Sequence, residues 1–182
     1  MHILDELAWR GLVHQVTDAQ IARQALEGRV RVYIGFDPSA ASLHIGHMLP
    51  ILILRRLQLA GHTPIALIGG GTGIIGDPSG KSAERKLLDT ATARANALAI
   101  RAQIERYLDP AGPTPAVFID NFEWLGEVRL LEFLRDFGKH FSVNAMVQRD
   151  SVRKRLEERD HGISFTEFSY MLLQAYDFWT LY

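Results

Sequence analysis

The feature that most constrains the fold is an alternation of strand and helix patterns between residues 29 and 121. RVRVYIGFD has an apolar residue at every second position, as a half-buried strand does, and TPIALIGG is the unbroken apolar run of a buried parallel strand. AVFID supplies a third strand, and helical patterns lie between the strands at residues 46–60 and 90–108. The sequence therefore predicts an α/β fold with parallel strands flanked by helices, and ligands beyond the carboxyl ends of the strands.

Helical patterns occupy the rest of the chain. The first helix is predicted over residues 3–16, and the spacing of Thr17 and Gln20 matches a capping box that opens a second helix. Further helices are predicted at residues 127–137 and 165–179, the latter opened by the capping-box pair Ser164 and Glu167.

Composition narrows the class of protein. The 182 residues carry a formal net charge of −1, so no overall field attracts nucleic acid or an anionic membrane. The chain has no cysteine, which excludes disulfides and thiolate metal sites. No basic leader precedes an apolar run at the N-terminus, and the apolar run at residues 48–54 is too short to span a bilayer. These observations predict a cytoplasmic protein with no membrane partner.

The loop after the second predicted strand, GGGTGIIGDPSGKS, nearly matches two phosphate-binding motifs. It contains the G-x-G-x-x-G spacing of dinucleotide folds, but Pro78 follows too soon for a helix to begin at the third glycine. A Walker A loop needs a glycine five residues before its Gly-Lys pair, where this sequence has Ile75. What remains is a glycine-rich turn that carries one carboxylate, Asp77, and two cations, Lys81 and Arg85.

Two histidines flank a glycine in SLHIGHML, at the start of the first helix of the α/β pattern. His44 and His47 have no third ligand nearby with suitable spacing, so no metal site is predicted. Structural capping is one role for these side chains. Transition-state binding is the other, because imidazole N–H donors at the positive end of a helix dipole suit an anionic phosphate. Gly46 would then admit the close approach of a nucleobase or ribose.

The last predicted helix carries a polar stripe on an otherwise apolar surface. Tyr170, Gln174 and Asp177 are spaced i, i+4 and i+7, so they share one face. Large apolar residues around them are expected to leave little of this helix exposed to solvent. A core tyrosine beside two solvated polar groups is the alternative. Polar groups in apolar surroundings need partners, which a polar ligand would provide.

Together, these motifs resemble a known family. H-x-G-H after the first strand of such a half-sheet resembles the HIGH motif of class I aminoacyl-tRNA synthetases and related nucleotidylyl transferases. With YIGFDPSAASLHIGH, GGGTGIIGDPSGKSAER, GKHFSVN and ISFTEFSYMLLQAYDF in order, the chain from about Val30 to Tyr182 resembles bacterial tyrosyl-tRNA synthetases. The resemblance implies a Rossmann-like fold, activation of L-tyrosine with ATP and Mg²⁺, and transfer of the tyrosyl group to tRNA(Tyr).

The resemblance also implies roles for residues that bind tyrosine. Tyr33 and Asp177 would bind the phenolic hydroxyl, and such a pocket rejects phenylalanine because it would leave buried polar groups unpaired. Tyr170, Gln174 and Asp77 would hold the α-amino group, with Asp77 as the charged partner of the ammonium.

For ATP, the resemblance implies a second set of residues. The ATP-binding residues would be Gly35, Asp37, Ser39, His44, Gly46 and His47. The catalytic residues would be His44, His47, Lys81 and Arg85, the last two of which would stabilise the departing pyrophosphate. The tyrosine carboxylate attacks the α-phosphorus directly, so catalysis depends on positioning and charge stabilisation.

By the same resemblance the chain has four segments. They are N-terminal helices at residues 1–28, the nucleotide-binding half of the catalytic domain at 29–123, a helical insertion at 124–160 and the tyrosine-pocket helix at 161–182. The insertion would form a homodimer, with a plain helical cap on the sheet as the alternative. Ile34 stands where the family often has a cysteine that touches the ribose, which would alter ATP affinity modestly. The last helix lacks a stop signal, so the chain is expected to be truncated at Tyr182.

Three other functions stay open. A nucleotidylyl transferase for a small cofactor would share H-x-G-H without the polar stripe of the last helix. A non-catalytic tyrosine-binding or dimerisation module would bind tyrosine without catalysing pyrophosphate exchange. An NAD-binding domain fits least, because its glycine fingerprint lacks the helix and the downstream acidic residue that it needs.

Overall fold

The computed structural model describes residues 1–77, 88–157 and 162–182. Lys81 and Arg85, predicted to be catalytic, lie outside the described residues. The chain divides into two compact units. The first unit comprises Met1–Phe36, Ala40–Ile68 and Asn96–Ile119, and the second comprises Asp37–Ser39, Gly69–Ala95 and Asp120–Tyr182.

Three strands form one sheet in the order β1-β2-β3, with β1 at Arg31–Phe36, β2 at Thr63–Ile68 and β3 at Val117–Asp120. β1 and β2 pair in parallel, with Tyr33 opposite Ile65. The central strand β2 is buried from Pro64 to Ile68, as its unbroken apolar run predicts. The predicted α/β class, with parallel strands flanked by helices, is confirmed.

Helices connect and follow the strands. The described α-helices are α1 (Ile3–Trp9), α2 (Ala19–Ala25), α3 (Ile45–Leu59), α4 (Thr72–Ile75), α5 (Thr90–Ile104), α6 (Phe122–Leu125), α7 (Leu130–Glu132), α8 (Val143–Val147), α9 (Asp150–Glu157) and α10 (Phe165–Leu181). None of the helices in the described part of the chain is long and apolar enough to cross a bilayer.

The core of the first unit is aliphatic. Ile51 and Leu54 of α3 and Ile104 of α5 are 0% exposed, and they belong to one cluster with Phe36 and Ile68, which end β1 and β2. Complete burial of one such aliphatic side chain contributes about 1.5–3 kcal/mol. The cluster therefore fixes the carboxyl ends of two strands against two helices.

Two N-terminal predictions are wrong in detail. The helix predicted over residues 3–16 ends at Trp9, because Gly11 adopts φ 70°, a left-handed conformation that terminates a helix. The second helix is capped by Asp18 and not by Thr17. The Asp18 carboxylate accepts hydrogen bonds from the backbone N–H groups of Gln20 and Ile21, both at 2.9 Å.

The later helices also differ from their predicted bounds. The helix expected at residues 127–137 is a short α7 followed by a π-helix at Phe133–Phe137 and a 3₁₀-helix at Gly138–His140. The capping prediction at Ser164 is confirmed, because its side chain accepts a hydrogen bond from the backbone N–H of Glu167 at 3.2 Å.

His62, just after α3, is a buried imidazole without full hydrogen bonding. The residue is 3% exposed, and its Nδ1 atom has no hydrogen-bond partner in the described part of the chain. Burial, together with nearby His2, lowers the pKa of His62 below its ordinary value. The unfolded chain therefore binds more protons at this residue than the folded chain does as the pH falls.

We expect this histidine to make the fold acid-sensitive. Its neutral form contributes fully above the unfolded pKa of about 6.5, and the contribution is lost as the pH falls through the lower folded pKa. Urea denaturation at a series of pH values should show less loss of unfolding free energy in His62→Phe than in the wild type. The exposed His14→Gln is the control and should keep the wild-type profile. Identical profiles for all three proteins would contradict the assignment.

Candidate functional site

A buried hydrogen-bond network lies in the second unit, centred on Asn121. This residue follows β3 and is 1% exposed. Its Nδ2 donates to Thr72 Oγ1 at 3.1 Å and to Asp177 Oδ2 at 2.9 Å. Its Oδ1 accepts from the backbone N–H groups of Gly71 at 2.8 Å and Thr72 at 3.4 Å. The amide therefore uses both its donors and its acceptor, and its orientation is fixed.

Asp177 of α10 is a buried carboxylate, 3% exposed, that receives two donors. Trp124 Nε1 donates to its Oδ1 at 2.9 Å, and Asn121 donates to its Oδ2. Burial raises the pKa of Asp177, the two donors oppose that rise, and the nearby charge of Asp37 adds to it. A perturbed carboxylate held by fixed donors is a frequent property of functional sites.

Asp37 and Tyr170 form a second part of this network. The Tyr170 hydroxyl donates to Asp37 Oδ2 at 2.8 Å, and Thr72 Oγ1 donates to Asp37 Oδ1 at 2.7 Å. Burial raises the pKa of Tyr170, and the carboxylates of Asp37, Asp77 and Asp177 raise it further. The phenol therefore stays protonated beside several negative charges, and this environment suits a cationic group.

The polar stripe predicted on the last helix is only partly enclosed. Asp177 is buried and Tyr170 is half-buried, but Gln174 is exposed. The expectation that apolar neighbours leave little of this face exposed to solvent is wrong, since Gln174 is exposed and its apolar neighbour Phe178 is 57% exposed. Sequence spacing placed the three polar residues on one face, but the depth of each depends on what packs against the helix.

The glycine-rich loop contacts the protein's own polar side chains. The backbone N–H of Gly70 donates to Asp120 Oδ1 at 3.0 Å, and that of Gly71 donates to Asn121. A Cβ at Gly69 would overlap the Asp37 carboxylate and Thr72 Oγ1, and one at Gly70 would overlap Asp120. These glycines thus admit internal acceptors, which agrees with the rejection of both phosphate-loop motifs.

His44 and His47, in the first unit, cap α3 reciprocally. His44 Nδ1 accepts from the backbone N–H of Gly46, and His47 Nδ1 accepts from that of His44, both at 3.1 Å. Burial and the neighbouring His44 lower the pKa of His47. Since Nδ1 is an acceptor in both rings, each neutral ring carries its proton on Nε2. Capping therefore leaves two Nε2–H donors at the N-terminus of α3, so the capping and phosphate-binding roles are compatible.

Gly46 has a local reason to be glycine. A Cβ at this position would press on the His44 ring, at 2.9 Å from Cε1 and 3.0 Å from Nδ1. The ring of His44 lies 3.9 Å from that of His47 between centroids. The glycine thus permits the close approach of the two rings, which are tilted by 46° to each other.

The other predicted residues of the described part of the chain differ in their exposure. Tyr33 is half-buried and Gly35 exposed within β1, and Ser39 is exposed. Among residues 1–77, 88–157 and 162–182, no group of three or more histidine or acidic side chains is arranged to hold a metal ion.

Sequence reasoning missed three residues of the network. Thr72, Asn121 and Trp124 contact Asp37 or Asp177, which are 35 to 56 positions away in the sequence. The only available signal was the position of Asn121 at the end of a predicted strand.

Comparison with known proteins identifies the family. The sequence model of the family described as class I tRNA synthetases (W and Y) matches residues 24–182. The tyrosine–tRNA ligase of Bacillus velezensis is 54% identical over 183 residues, which cover 100% of this chain and 43% of that protein. That of Roseiflexus castenholzii is 58% identical over 177 residues, covering 97% of this chain and 41% of that protein. The chain thus spans about two fifths of the length of these curated relatives.

A solved structure agrees with these sequence comparisons. A C-terminally truncated mitochondrial tyrosyl-tRNA synthetase from Aspergillus nidulans superimposes with a TM-score of 0.87 at 35% identity, covering 99% of this chain and 54% of that one. The chain therefore belongs to the class I tRNA synthetase family that includes the tyrosine enzymes. The resemblance to bacterial tyrosyl-tRNA synthetases is confirmed.

The close approach at the glycine-rich loop can be tested by adding one methyl group. Gly70→Ala places a Cβ against the Asp120 carboxylate, and we expect a loss of about 1–3 kcal/mol in unfolding free energy from this overpacking. Urea denaturation measures the loss. Gly28→Ala is the matched control, because within the described part of the chain the nearest atom to its Cβ would be Ala25 O, at 3.9 Å. A loss no greater than that of the control would argue against the contact.

Proposed function

We propose that the protein is a tyrosine–tRNA ligase, which activates L-tyrosine with ATP and transfers the tyrosyl group to tRNA(Tyr). The observation that carries the proposal is the buried Asp177 carboxylate, which accepts hydrogen bonds from Asn121 and Trp124. It lies on the helix that the resemblance to tyrosyl-tRNA synthetases assigns to the tyrosine pocket. Burying such a carboxylate costs stability, and a ligand hydroxyl that donates to it offsets that cost. We further propose a cytoplasmic location.

Recognition of the phenolic hydroxyl falls to Asp177, with Tyr33 as the second partner by similarity to the family. Each Asp177 oxygen accepts one internal hydrogen bond, and a carboxylate oxygen has room for a second. Phenylalanine offers no hydroxyl, so binding it would leave the buried carboxylate short of a donor. Selectivity for tyrosine follows from this difference.

The α-amino group binds to Asp77, Tyr170 and Gln174 in this proposal. The Tyr170 hydroxyl directs its proton to Asp37 and so offers its oxygen to an ammonium donor. The carboxylates that surround Tyr170 also favour a positive charge electrostatically. These two properties support an ammonium site at this position.

In this proposal ATP binds to a second set of residues, which the resemblance to the family assigns to it. The Nε2–H groups of His44 and His47 donate to the phosphate side and the ribose, while the backbone at Gly35, Asp37 and Gly46 permits close approach, and Ser39 contacts phosphate. Lys81 and Arg85 stabilise the departing pyrophosphate. Mg²⁺ arrives on the ATP phosphates, a mode of binding that needs no dedicated cluster of protein ligands.

Pyrophosphate exchange and calorimetry test the enzyme assignment. We expect exchange to require tyrosine, and a site built to bond the hydroxyl should strongly prefer tyrosine over phenylalanine, because phenylalanine leaves a buried acceptor unpaired. Asp177→Asn should reduce that preference by more than tenfold, whereas the exposed Asp136→Asn should leave it unchanged.

Each alternative function predicts a different result. Tyrosine binding without exchange would favour the non-catalytic module. Exchange that ignores tyrosine would favour a small-cofactor nucleotidylyl transferase. Equal binding of phenylalanine and tyrosine would refute the role of Asp177.

We also propose that the protein is a homodimer through the helical segment after β3 and the start of α10. Several large apolar side chains of the second unit are exposed there, namely Leu130, Leu131, Leu134, Val143 and Phe165. A cleft lined by Leu134, Phe141, Met146 and Phe168 adjoins them. An exposed apolar patch of this kind is typical of an interface.

Light scattering after size exclusion tests the dimer. We expect the wild type to have twice the monomer mass, and Phe165→Asp to dissociate it at micromolar concentration, because a buried interfacial charge without a partner is costly. Leu98→Asp, at a residue 70% exposed on α5, is the control and should remain dimeric. A monomeric wild type would contradict the proposal.

A further inference from the structure

We propose that Thr72 is a positioning residue for recognition of the α-amino group, because it orients Asp37 and Asp37 orients the Tyr170 hydroxyl. The inference rests on the proposed role of Tyr170 in tyrosine binding. It adds Thr72 and Asp37 to the residues that recognise the α-amino group. The proposed function gives Asp37 only a backbone contact with ATP. All three residues belong to the second unit.

The direction of the Thr72 hydroxyl is determined by its neighbours. Thr72 is 3% exposed, and its Oγ1 lies 3.1 Å from Asn121 Nδ2, which can only donate. The single hydroxyl proton is therefore free to point at Asp37 Oδ1, 2.7 Å away. A carboxylate can only accept, so the donor order from Asn121 through Thr72 to Asp37 has one arrangement.

Asp37 is held at both of its carboxylate oxygens. Thr72 donates to Oδ1, and Tyr170 donates to Oδ2 at 2.8 Å. Gly69 makes room for this arrangement, because a Cβ there would overlap both Asp37 Oδ1 and Thr72 Oγ1. The carboxylate plane is thereby fixed, and with it the direction in which the Tyr170 proton points.

The fixed direction has a consequence for ligand binding. With its proton committed to Asp37, the Tyr170 oxygen presents lone pairs, which accept a hydrogen bond from an ammonium group. Removal of the Thr72 hydroxyl takes this donor away from Asp37 Oδ1 and weakens the constraint on the carboxylate. The Tyr170 hydroxyl is then held less firmly in its orientation.

The effect should be confined to the amino end of the ligand. Asn121 keeps its bonds to the backbone N–H of Gly71 and to Asp177 when the Thr72 hydroxyl is absent. Asp177 also keeps its bond from Trp124. The carboxylate proposed to bind the phenol therefore retains its donors.

Calorimetry with three ligands tests the inference on the full protein. The ligands are L-tyrosine, tyramine, which keeps the amino group, and 3-(4-hydroxyphenyl)propionate, which lacks it. In Thr72→Val we expect affinity for the first two ligands to fall about tenfold, the scale of one charge-assisted hydrogen bond, and affinity for the third to stay unchanged. Thr72→Ser keeps the hydroxyl and should restore wild-type affinity. Thr180→Val, at an exposed threonine of α10, is the control and should bind all three as the wild type does.

Comparison of ligands within one variant separates positioning from general damage to the fold. Equal weakening of all three ligands, or no weakening of any, would overturn the inference. Thr72→Ala, which introduces no new bulk, is the second variant if Thr72→Val fails to fold, and it should show the same selectivity. A wild-type protein that does not bind tyrosine would overturn the proposed function itself, which is a separate outcome.

Discussion

The cost of burying the Asp177 carboxylate dominates the organisation of the second unit. A charge at this depth is tolerated only when donors meet it, and Asn121 and Trp124 supply one donor to each oxygen. Asn121 is in turn fixed by the backbone of the glycine-rich loop. The end of β3, the loop and α10 are therefore linked by one requirement, which is to keep a buried acceptor paired and correctly aimed.

The glycine-rich loop shows that closely spaced glycines serve internal contacts as readily as they serve phosphates. Its backbone N–H groups donate to Asp120 and Asn121, and the absence of a Cβ at Gly69 and Gly70 gives these acceptors and Asp37 room. The histidine pair likewise combines two roles, because a ring that caps a helix through Nδ1 keeps Nε2–H for a ligand. In the glycine-rich loop and in the histidine pair, some atoms of a segment make structural contacts while other atoms stay available to a ligand.

Predictions from local patterns succeeded where a single interaction decides the outcome. The strands and the helix between β1 and β2 followed from hydrophobic periodicity, and the Ser164 cap followed from its spacing with Glu167. The predictions failed where neighbouring residues compete. Asp18, and not the predicted Thr17, is the N-cap of α2. The pattern at residues 127–137 did not reveal that α7 is followed by a π-helix. Periodicity measures which side of a helix is apolar, and not the hydrogen bonds that its backbone adopts.

The sequence by itself determined the α/β class, the order of elements and the family, since these depend on local periodicity and on contiguous motifs such as SLHIGHML. It also placed Tyr170, Gln174 and Asp177 on one helical face. Only the tertiary structure decided that Asp177 is buried while Gln174 is exposed, and that Thr72 and Asn121 connect Asp37 to Asp177. Burial and hydrogen-bond partners arise from packing between segments as far as 133 residues apart, and no local pattern encodes such distances.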